Sequence, residues 1–283
     1  MLRFSAYQFT DESDITFSPE EYSKFKFGDK EIARSYGFTL ADKFIKSPVF
    51  YNILYSLKEN PDLKIIVMSS PYLHIPTATL ALKDYFVREL NHQLASLGFD
   101  PIMETKIYRK SSYKAEYGEM SKEERLSVLK DDFYVDANLL ESNICLFLDD
   151  IVITGAHEHR MKSMIERQKI YTHTSLFLYF AELTQNNTSP TIENYLNYFY
   201  VKNLVKLDKI IKNQEFIMNT RVVKYILDAP VEECKSFLKY QKDTFLHTLY
   251  SNAIGNKYHT IADYKSNFNE LIKRLKEFKL LWG

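Results

Sequence analysis

The stretch ICLFLDDIVITGAHE, residues 144–158, decides the fold of this protein. Residues 143–148 (NICLFL) are nearly all apolar, as expected of a central parallel strand that is covered on both faces. An acidic pair, Asp149 and Asp150, follows at once, then a Thr-Gly pair, and then helical periodicity over 157–170. This order of features predicts a ligand site at the carboxyl end of a central strand.

Strand and helix patterns alternate around this stretch. Short apolar runs predict strands at 63–68 (LKIIVM) and 175–180 (SLFLYF), and a weaker strand is expected at 102–108. Apolar residues at helical spacing predict helices at 31–45 and 77–97. The alternation predicts an α/β fold, in which a Rossmann-like central parallel sheet has flanking helices and right-handed crossovers.

The pattern changes after Thr184. Residues 185–190 (QNNTSP) interrupt it, and the rest of the chain has helical periodicity without a convincing strand. Helices are predicted at residues 190–212, 220–227, 230–252 and 260–281. We therefore expect an α/β domain over residues 1–184 and an all-helical C-terminal domain or cap over residues 185–283.

Composition argues against several classes of partner. Lys plus Arg and Asp plus Glu number 37 each, so no global field favours nucleic acid. No apolar run approaches the roughly 18 residues of a membrane helix, so no membrane partner is expected. The cysteines, Cys145 and Cys234, are too few for a disulfide framework and lack metal-ligand spacing. A cytoplasmic protein is the expectation.

The residues after the central strand suit a ribose phosphate. Two adjacent carboxylates beside a buried strand are costly unless other groups satisfy them. Residues 154–157 open the next helix, where backbone amides, with Gly155 permitting close approach, form a phosphate cradle. Acceptors for a sugar diol and donors for a phosphate are thus a few residues apart. The alternative is a solvated acidic turn followed by an ordinary capped helix.

The pattern of acidic pair, three residues, Thr-Gly, one residue and usually Thr resembles the phosphoribosyl pyrophosphate (PRPP) motif of the type I phosphoribosyltransferases. The resemblance implies that Asp149 and Asp150 hold the ribose hydroxyls and contact Mg²⁺ indirectly, through PRPP and water. It implies that PRPP also contacts Ile153, Thr154, Gly155, Ala156 and His157, the last four at the 5′-phosphate. His157 is a departure, because the family usually has Thr or Ser there, although a protonated imidazole could still meet the phosphate.

Other stretches resemble the ComF-like subgroup of these enzymes. Residues 120–136 (MSKEERLSVLKDDFYVD) and 26–37 (KFGDKEIARSYG) carry this resemblance, which covers about residues 20–180. The stretches at 220–230 (TRVVKYILDAP) and 245–261 (FLHTLYSNAIGNKYHTI) are similar to ComF-like phosphoribosyltransferases associated with tellurite-resistance gene clusters.

The resemblance implies that a mobile loop, residues 109–133, closes over pyrophosphate and excludes water. Its cations include Arg109, Lys110 and Arg125, of which Arg125 is expected to act in catalysis beside the acidic pair. A charged surface loop without a ligand is the alternative.

Ser69 and Ser70, at the end of the first predicted strand, correspond to the pyrophosphate loop of the family. The alternative for their side chains is a plain turn that ends the strand.

The resemblance implies an enzyme that uses Mg²⁺ and PRPP to transfer ribose 5-phosphate to an unidentified nucleophile, with release of pyrophosphate. A non-catalytic PRPP sensor is the alternative, because fold does not fix function. His157 motivates it, as do Tyr117 and Val128, where the subgroup often has Gln and Asn. The acceptor and the oligomeric state stay open, although homodimers are common among soluble proteins.

Overall fold

A five-stranded parallel sheet forms the centre of the protein. The computed structural model describes residues 2–109, 133–184, 191–213 and 215–277. Its strands are β1 (Leu2–Phe9), β2 (Ile65–Ser69), β3 (Met103–Glu104), β4 (Tyr108–Arg109), β5 (Phe133–Tyr134), β6 (Ile144–Val152) and β7 (Thr174–Leu183). The sheet order is β1-β7-β6-β2-β3, and β4 and β5 form a separate antiparallel pair. The predicted α/β class is confirmed, with β6 at the centre.

The three apolar runs predicted as strands all form, but β6 is longer than predicted and reaches Val152. Its pairing with β7 continues at Asp149, which lies opposite Tyr179. Its pairing with β2, in contrast, stops where Ser69 lies opposite Leu148. The acidic pair therefore lies inside β6, at the point where its β2 neighbour has ended. On that side the carboxylates can reach the loop that follows β2.

The edge strand β1 is not predicted by the apolar-run criterion, because LRFSAYQF alternates polar and apolar residues. The tertiary structure satisfies its polar residues. Arg3 Nη1 lies 2.6 Å from a carboxylate oxygen of Glu182, and the Ser5 hydroxyl donates to the same carboxylate at 2.6 Å. Because Glu182 belongs to the neighbouring strand β7, these bonds hold β1 in register on the sheet.

Helices cover the sheet and continue to the C-terminal region. They are α1 (Pro19–Lys26), α2 (Lys30–Ile45), α3 (Pro48–Glu59), α4 (Ala78–Ser96), α5 (Ala137–Leu140), α6 (Ala156–Arg167), α7 (Thr191–Tyr198), α8 (Leu204–Ile211), α9 (Thr220–Asp228), α10 (Val231–Lys239), α11 (Asp243–Gly255) and α12 (Lys265–Glu277). The helices predicted at 31–45 and 77–97 are α2 and α4. They cross closely at Gly37, where an added Cβ would lie 2.6 Å from the carbonyl oxygen of Leu82.

The C-terminal region is helical, as predicted, but its helices are shorter than the periodicity indicates. The helix predicted at 190–212 is two helices, because Asn203 caps a new one by accepting a hydrogen bond from the Lys206 amide at 2.9 Å. The helix predicted at 230–252 is likewise interrupted between Lys239 and Asp243. None of the helices in the described ranges is long and apolar enough to cross a membrane.

Alternating side chains of the sheet enter two separate cores, one on each face. Val67 and Leu146 belong to one core, and Met68 and Phe147 belong to the other. A third core lies among the C-terminal helices from Val201 onward. The division of the chain between residues 184 and 185 stays a prediction, since α7 packs with the first of these cores.

The C-terminal region is anchored on the end of α1 and on the loop after β2, at the carboxyl edge of the sheet. The Asn219 side-chain amide donates to the carbonyl oxygen of Lys26 at 3.1 Å. The Asn256 side chain accepts hydrogen bonds from the backbone amides of His74 and Ile75 at 3.0 and 2.9 Å. Backbone bonds to residues 28 and 30 add to these contacts. The helical region is therefore positioned beside the loops that follow β2.

Candidate active site

A cavity of about 390 Å³ opens at the carboxyl edge of the sheet, beside the ends of β2 and β6. Its walls include most of the residues predicted for the site, namely Ser70, Arg109, Asp149, Asp150, Ile153, Thr154, Gly155, Ala156 and His157. Ser69 is buried as the last residue of β2 and is not among the lining residues. Lys110 and Arg125, with most of the predicted loop 109–133, lie outside the described residues.

Asp149 is held by donors from three directions. The Ser70 hydroxyl donates to Oδ1 at 2.6 Å, Thr79 donates to the same atom at 3.2 Å, and His157 Nδ1 lies 2.5 Å from Oδ2. Burial opposes the charged carboxylate, but His157 and the hydrogen bond from Ser70 outweigh it and hold the pKa of Asp149 well below its ordinary value. Asp149 is therefore an ionised acceptor at neutral pH.

Asp150 lies deeper, with 4% of its surface exposed. Its carboxylate accepts hydrogen bonds from the Tyr22 hydroxyl and, at 2.5 Å, from Lys26 Nζ. The Thr79 hydroxyl lies 3.3 Å from it and shares its one hydrogen between the two aspartates. Burial, together with the charge of Asp149, raises the pKa of Asp150, while Lys26 opposes that rise. The two neighbouring carboxylates thus have opposite pKa shifts: the donors to Asp149 outweigh its burial, whereas burial and the charge of Asp149 outweigh the donors to Asp150.

The residues after β6 form the start of α6. Gly155 has φ +68°, a left-handed conformation that favours glycine, and it is the N-cap of the helix. The Thr154 hydroxyl lies 3.4 Å from the Ala156 amide. The first amides of α6 point along the helix axis towards the cavity, where the positive end of the helix dipole favours an anion. This is the geometry of a phosphate cradle.

Glu158 fixes the first turn of α6. It is 6% exposed and accepts hydrogen bonds from Arg3 at 2.9 Å and from the Tyr179 hydroxyl at 3.1 Å. Lys162 Nζ lies 2.5 Å from its other oxygen. Burial raises the pKa of Glu158, but these donors outweigh it and the net shift is downward. The cradle is therefore braced from behind by β1 and β7.

A model of the family described as PRTase ComF-like, that is, ComF-like phosphoribosyltransferases, matches residues 2–271. The chain belongs to this family. No curated protein gives a significant match.

Solved phosphoribosyltransferases show distant similarity to this chain. A hypoxanthine phosphoribosyltransferase from Staphylococcus aureus is 9% identical, with a TM-score of 0.31, over 62% of this chain and 74% of the other. The enzyme of the same name from Trypanosoma cruzi is 16% identical, with a TM-score of 0.29, over 59% and 69%. Adenine phosphoribosyltransferase from Saccharomyces cerevisiae is 16% identical, with a TM-score of 0.27, over 52% and 68%.

Several residues that line the cavity were not predicted as site residues. Lys26, Thr79, Arg160 and Tyr179 line the cavity, and Tyr22 reaches Asp150 from behind it. Part of this set had a signal in the sequence, because residues 26–37 carry the ComF-like resemblance and begin at the lysine. The remaining residues had no such signal, because whether their side chains face the cavity depends on how their helices and strands pack.

The carboxylates of the site fit a metal ion that is held through a ligand better than one bound directly. Asp149 accepts a hydrogen bond from the Ser70 hydroxyl and contacts the His157 imidazole, and Asp150 accepts hydrogen bonds from the Tyr22 hydroxyl and the Lys26 ammonium group. Within the described part of the chain, no group of three His, Cys, Asp or Glu residues could hold a metal ion. Magnesium coordination commonly combines one or two carboxylates with water and substrate phosphates. The residues present are compatible with that arrangement.

Proposed function

We propose that this protein binds PRPP with magnesium and transfers ribose 5-phosphate to a nucleophilic acceptor, with release of pyrophosphate. One observation carries the proposal: an ionised carboxylate, Asp149, and the N-terminus of α6 face the same cavity. A ribose phosphate needs acceptors for its hydroxyls and donors for its phosphate at this separation. Membership of the ComF-like family supports the same substrate.

The roles of the residues follow from their exposure and contacts. The Asp149 side chain is 17% exposed and that of Asp150 is 6% exposed, so Asp149 is the main acceptor for the ribose hydroxyls. Asp150 acts beside it and orients Lys26. The amides of residues 154–157 hold the 5′-phosphate. Ser70 and Arg109, with Lys110 and Arg125 of the loop, act on the pyrophosphate.

Bond breaking at the anomeric carbon develops positive charge on the sugar and negative charge on pyrophosphate. Asp149 stabilises the first, and the cations around the cavity stabilise the second, so the protein contributes mainly electrostatics. Magnesium, when bound with PRPP, supplies further positive charge to the leaving group.

The thiols Cys145 and Cys234 are buried and form no disulfide, which suits the reducing cytoplasm that we propose as the location of the protein.

Calorimetric titration with Mg-PRPP tests this proposal. Wild-type protein should bind, and Asp149→Asn should weaken binding by about tenfold or more, since a charge-assisted hydrogen bond contributes about 1.5–3 kcal/mol. Asp100→Asn is the matched control, because Asp100 is an exposed aspartate outside the cavity lining. Absence of wild-type binding at millimolar Mg-PRPP, or equal loss in both variants, would contradict the proposal.

A PRPP sensor is the second candidate, and the contact between His157 and Asp149 favours it. The imidazole of His157 contacts the Asp149 carboxylate that the ribose hydroxyls would use. At position 157 the family usually has Thr or Ser. Pyrophosphate release with a panel of bases, amines and amino acids separates the two functions. Turnover with any acceptor establishes the enzyme, whereas tight PRPP binding without turnover across the panel favours the sensor.

A further inference from the structure

A second cavity, of about 410 Å³, lies against the first one. Both cavities are lined by Lys26 and Thr77, so they meet at the Lys26 side chain that contacts Asp150. The outer wall is α9 of the C-terminal region, which contributes Arg221, Lys224 and Tyr225. Its volume falls in the range of small-molecule sites, about 300–1,000 Å³. A ligand in this second cavity would therefore lie next to the ribose site.

The second cavity has an excess of positive charge. Among the described residues that line it, the cations are Lys26, Arg221 and Lys224 and the carboxylate is Asp228. Lys26 is paired with Asp150 of the first cavity, which leaves two cations, Arg221 and Lys224, beside Asp228. Burial, followed by the charges of Arg109 and Arg221, lowers the pKa of Lys224 to about 8, while Asp228 opposes the shift. Cations held this close in a partly buried wall repel one another, and an anion placed between them would relieve that repulsion.

Aromatic side chains form the rest of the wall of the second cavity. Tyr198, Tyr225 and Tyr264 line the second cavity, and the rings of Tyr198 and Tyr225 are 6.0 Å apart. The Arg221 guanidinium lies 5.7 Å from the centre of the Tyr198 ring. Aromatic faces suit a planar ligand, and the planar fork of arginine matches a carboxylate.

We infer that the second cavity is the acceptor site and that it takes a planar ring bearing a carboxylate, with Arg221 and Lys224 as the residues that recognise the charge. This inference rests on the proposed function. A nucleophilic atom of the acceptor forms a bond to the anomeric carbon while the carbon–oxygen bond to pyrophosphate breaks. Pyrophosphate leaves with the bonding electron pair, and the proton lost by the acceptor passes to solvent.

The test uses matched pairs of probes in which one member has a carboxylate and the other has hydrogen or a neutral amide in its place: orotate with uracil, anthranilate with aniline, and nicotinate with nicotinamide. Each is titrated calorimetrically into the full-length protein, with and without saturating Mg-PRPP. At least one carboxylate probe should bind wild-type protein at least tenfold more tightly than its neutral partner. Arg221→Gln should weaken that preference, because Lys224 alone then faces the carboxylate, and should leave the affinity for Mg-PRPP within about twofold, which also shows that the variant is folded.

Arg88→Gln, at an exposed arginine of α4, is the matched control and should leave the preference unchanged. Equal binding of charged and neutral probes to wild-type protein, or a preference of undiminished size in Arg221→Gln, would overturn the inference. A loss of Mg-PRPP affinity in an Arg221→Gln protein that unfolds at the wild-type temperature would also overturn it, because the second cavity would then hold the pyrophosphate. If wild-type protein fails to bind Mg-PRPP, the proposed function is wrong. The probe titrations without PRPP would still test whether the second cavity prefers a carboxylate.

Discussion

The ammonium nitrogen of Lys26 lies 2.5 Å from Oδ2 of Asp150. This pair joins the end of α1 to the central strand β6, and it stands between the two cavities. Both side chains are largely buried, at 13% and 6% exposure. Removal of one partner of such a pair leaves a buried charge without compensation.

Lys26→Met should therefore destabilise the protein by about 3 kcal/mol, in the range found when one partner of a buried ion pair is removed. The double variant Lys26→Met/Asp150→Asn should recover part of that loss, since no charge is then stranded. Urea unfolding of the wild type, both single variants and the double variant measures this coupling. Additive losses would mean that the pair does not interact energetically.

His157→Thr should strengthen Mg-PRPP binding by about tenfold, because it frees Asp149 from one charge-assisted contact worth about 1.5 kcal/mol. His159→Thr, at an exposed histidine of the same helix, serves as the control and should have little effect. Calorimetry compares the two variants at one pH. Weaker binding by His157→Thr would instead identify the imidazole as a phosphate ligand.

Gly155→Ala and Gly98→Ala form a matched pair. Both glycines have left-handed backbones, φ +68° and +79°, and an added Cβ would meet no atom within 4 Å at either position. Each substitution should therefore cost about 1–2 kcal/mol of stability from backbone strain alone. Only Gly155→Ala should also weaken binding of ribose 5-phosphate, since its methyl group would enter the phosphate cradle. Thermal unfolding measures the first effect and calorimetry the second, and equal affinities would argue against the cradle.

Binding of a carboxylate probe in the second cavity should weaken as the pH rises through about 8, where Lys224 loses its proton. The groups that face this lysine are Arg109, Arg221, Asp228 and the ring of Tyr258. An anion favours the charged lysine and raises its pKa, so binding near pH 8–9 should take up protons from the buffer. Titrations in buffers of different ionisation enthalpy measure this uptake.

Lys224→Met should abolish the proton uptake and flatten the pH dependence. An unchanged pH profile in this variant would assign the dependence to another group, and proton release instead of uptake would contradict the sign of the effect.

The C-terminal periodicity predicted helices but not their ends. The segment at 190–212 reads as one helix from its apolar spacing, yet Asn203 begins a new helix by capping it. Hydrogen bonds from side chains such as Asn203 to nearby backbone groups compete with continuation of the helix. The spacing of apolar residues alone does not show where such a bond ends one helix and begins the next.

The edge strand β1 escaped prediction for a different reason. Its polar side chains gain their partners only when β7 lies beside it, as the bonds from Arg3 and Ser5 to Glu182 demonstrate. Residues far apart in the chain, such as Lys26 and Asp150, likewise come together only through the packing of α1 against the sheet.

By itself, the sequence determined the central strand, the acidic pair and the start of α6, because these residues are contiguous and their order dictates local geometry. It also determined the α/β class, because short apolar runs typical of strands alternate with apolar residues at helical spacing. Tertiary structure alone decided which donors hold each carboxylate: His157 for Asp149, and Tyr22 with Lys26 for Asp150. Those contacts depend on where separate elements pack. Together with burial, which raises the pKa of both aspartates, they leave the pKa of Asp149 lowered and that of Asp150 raised.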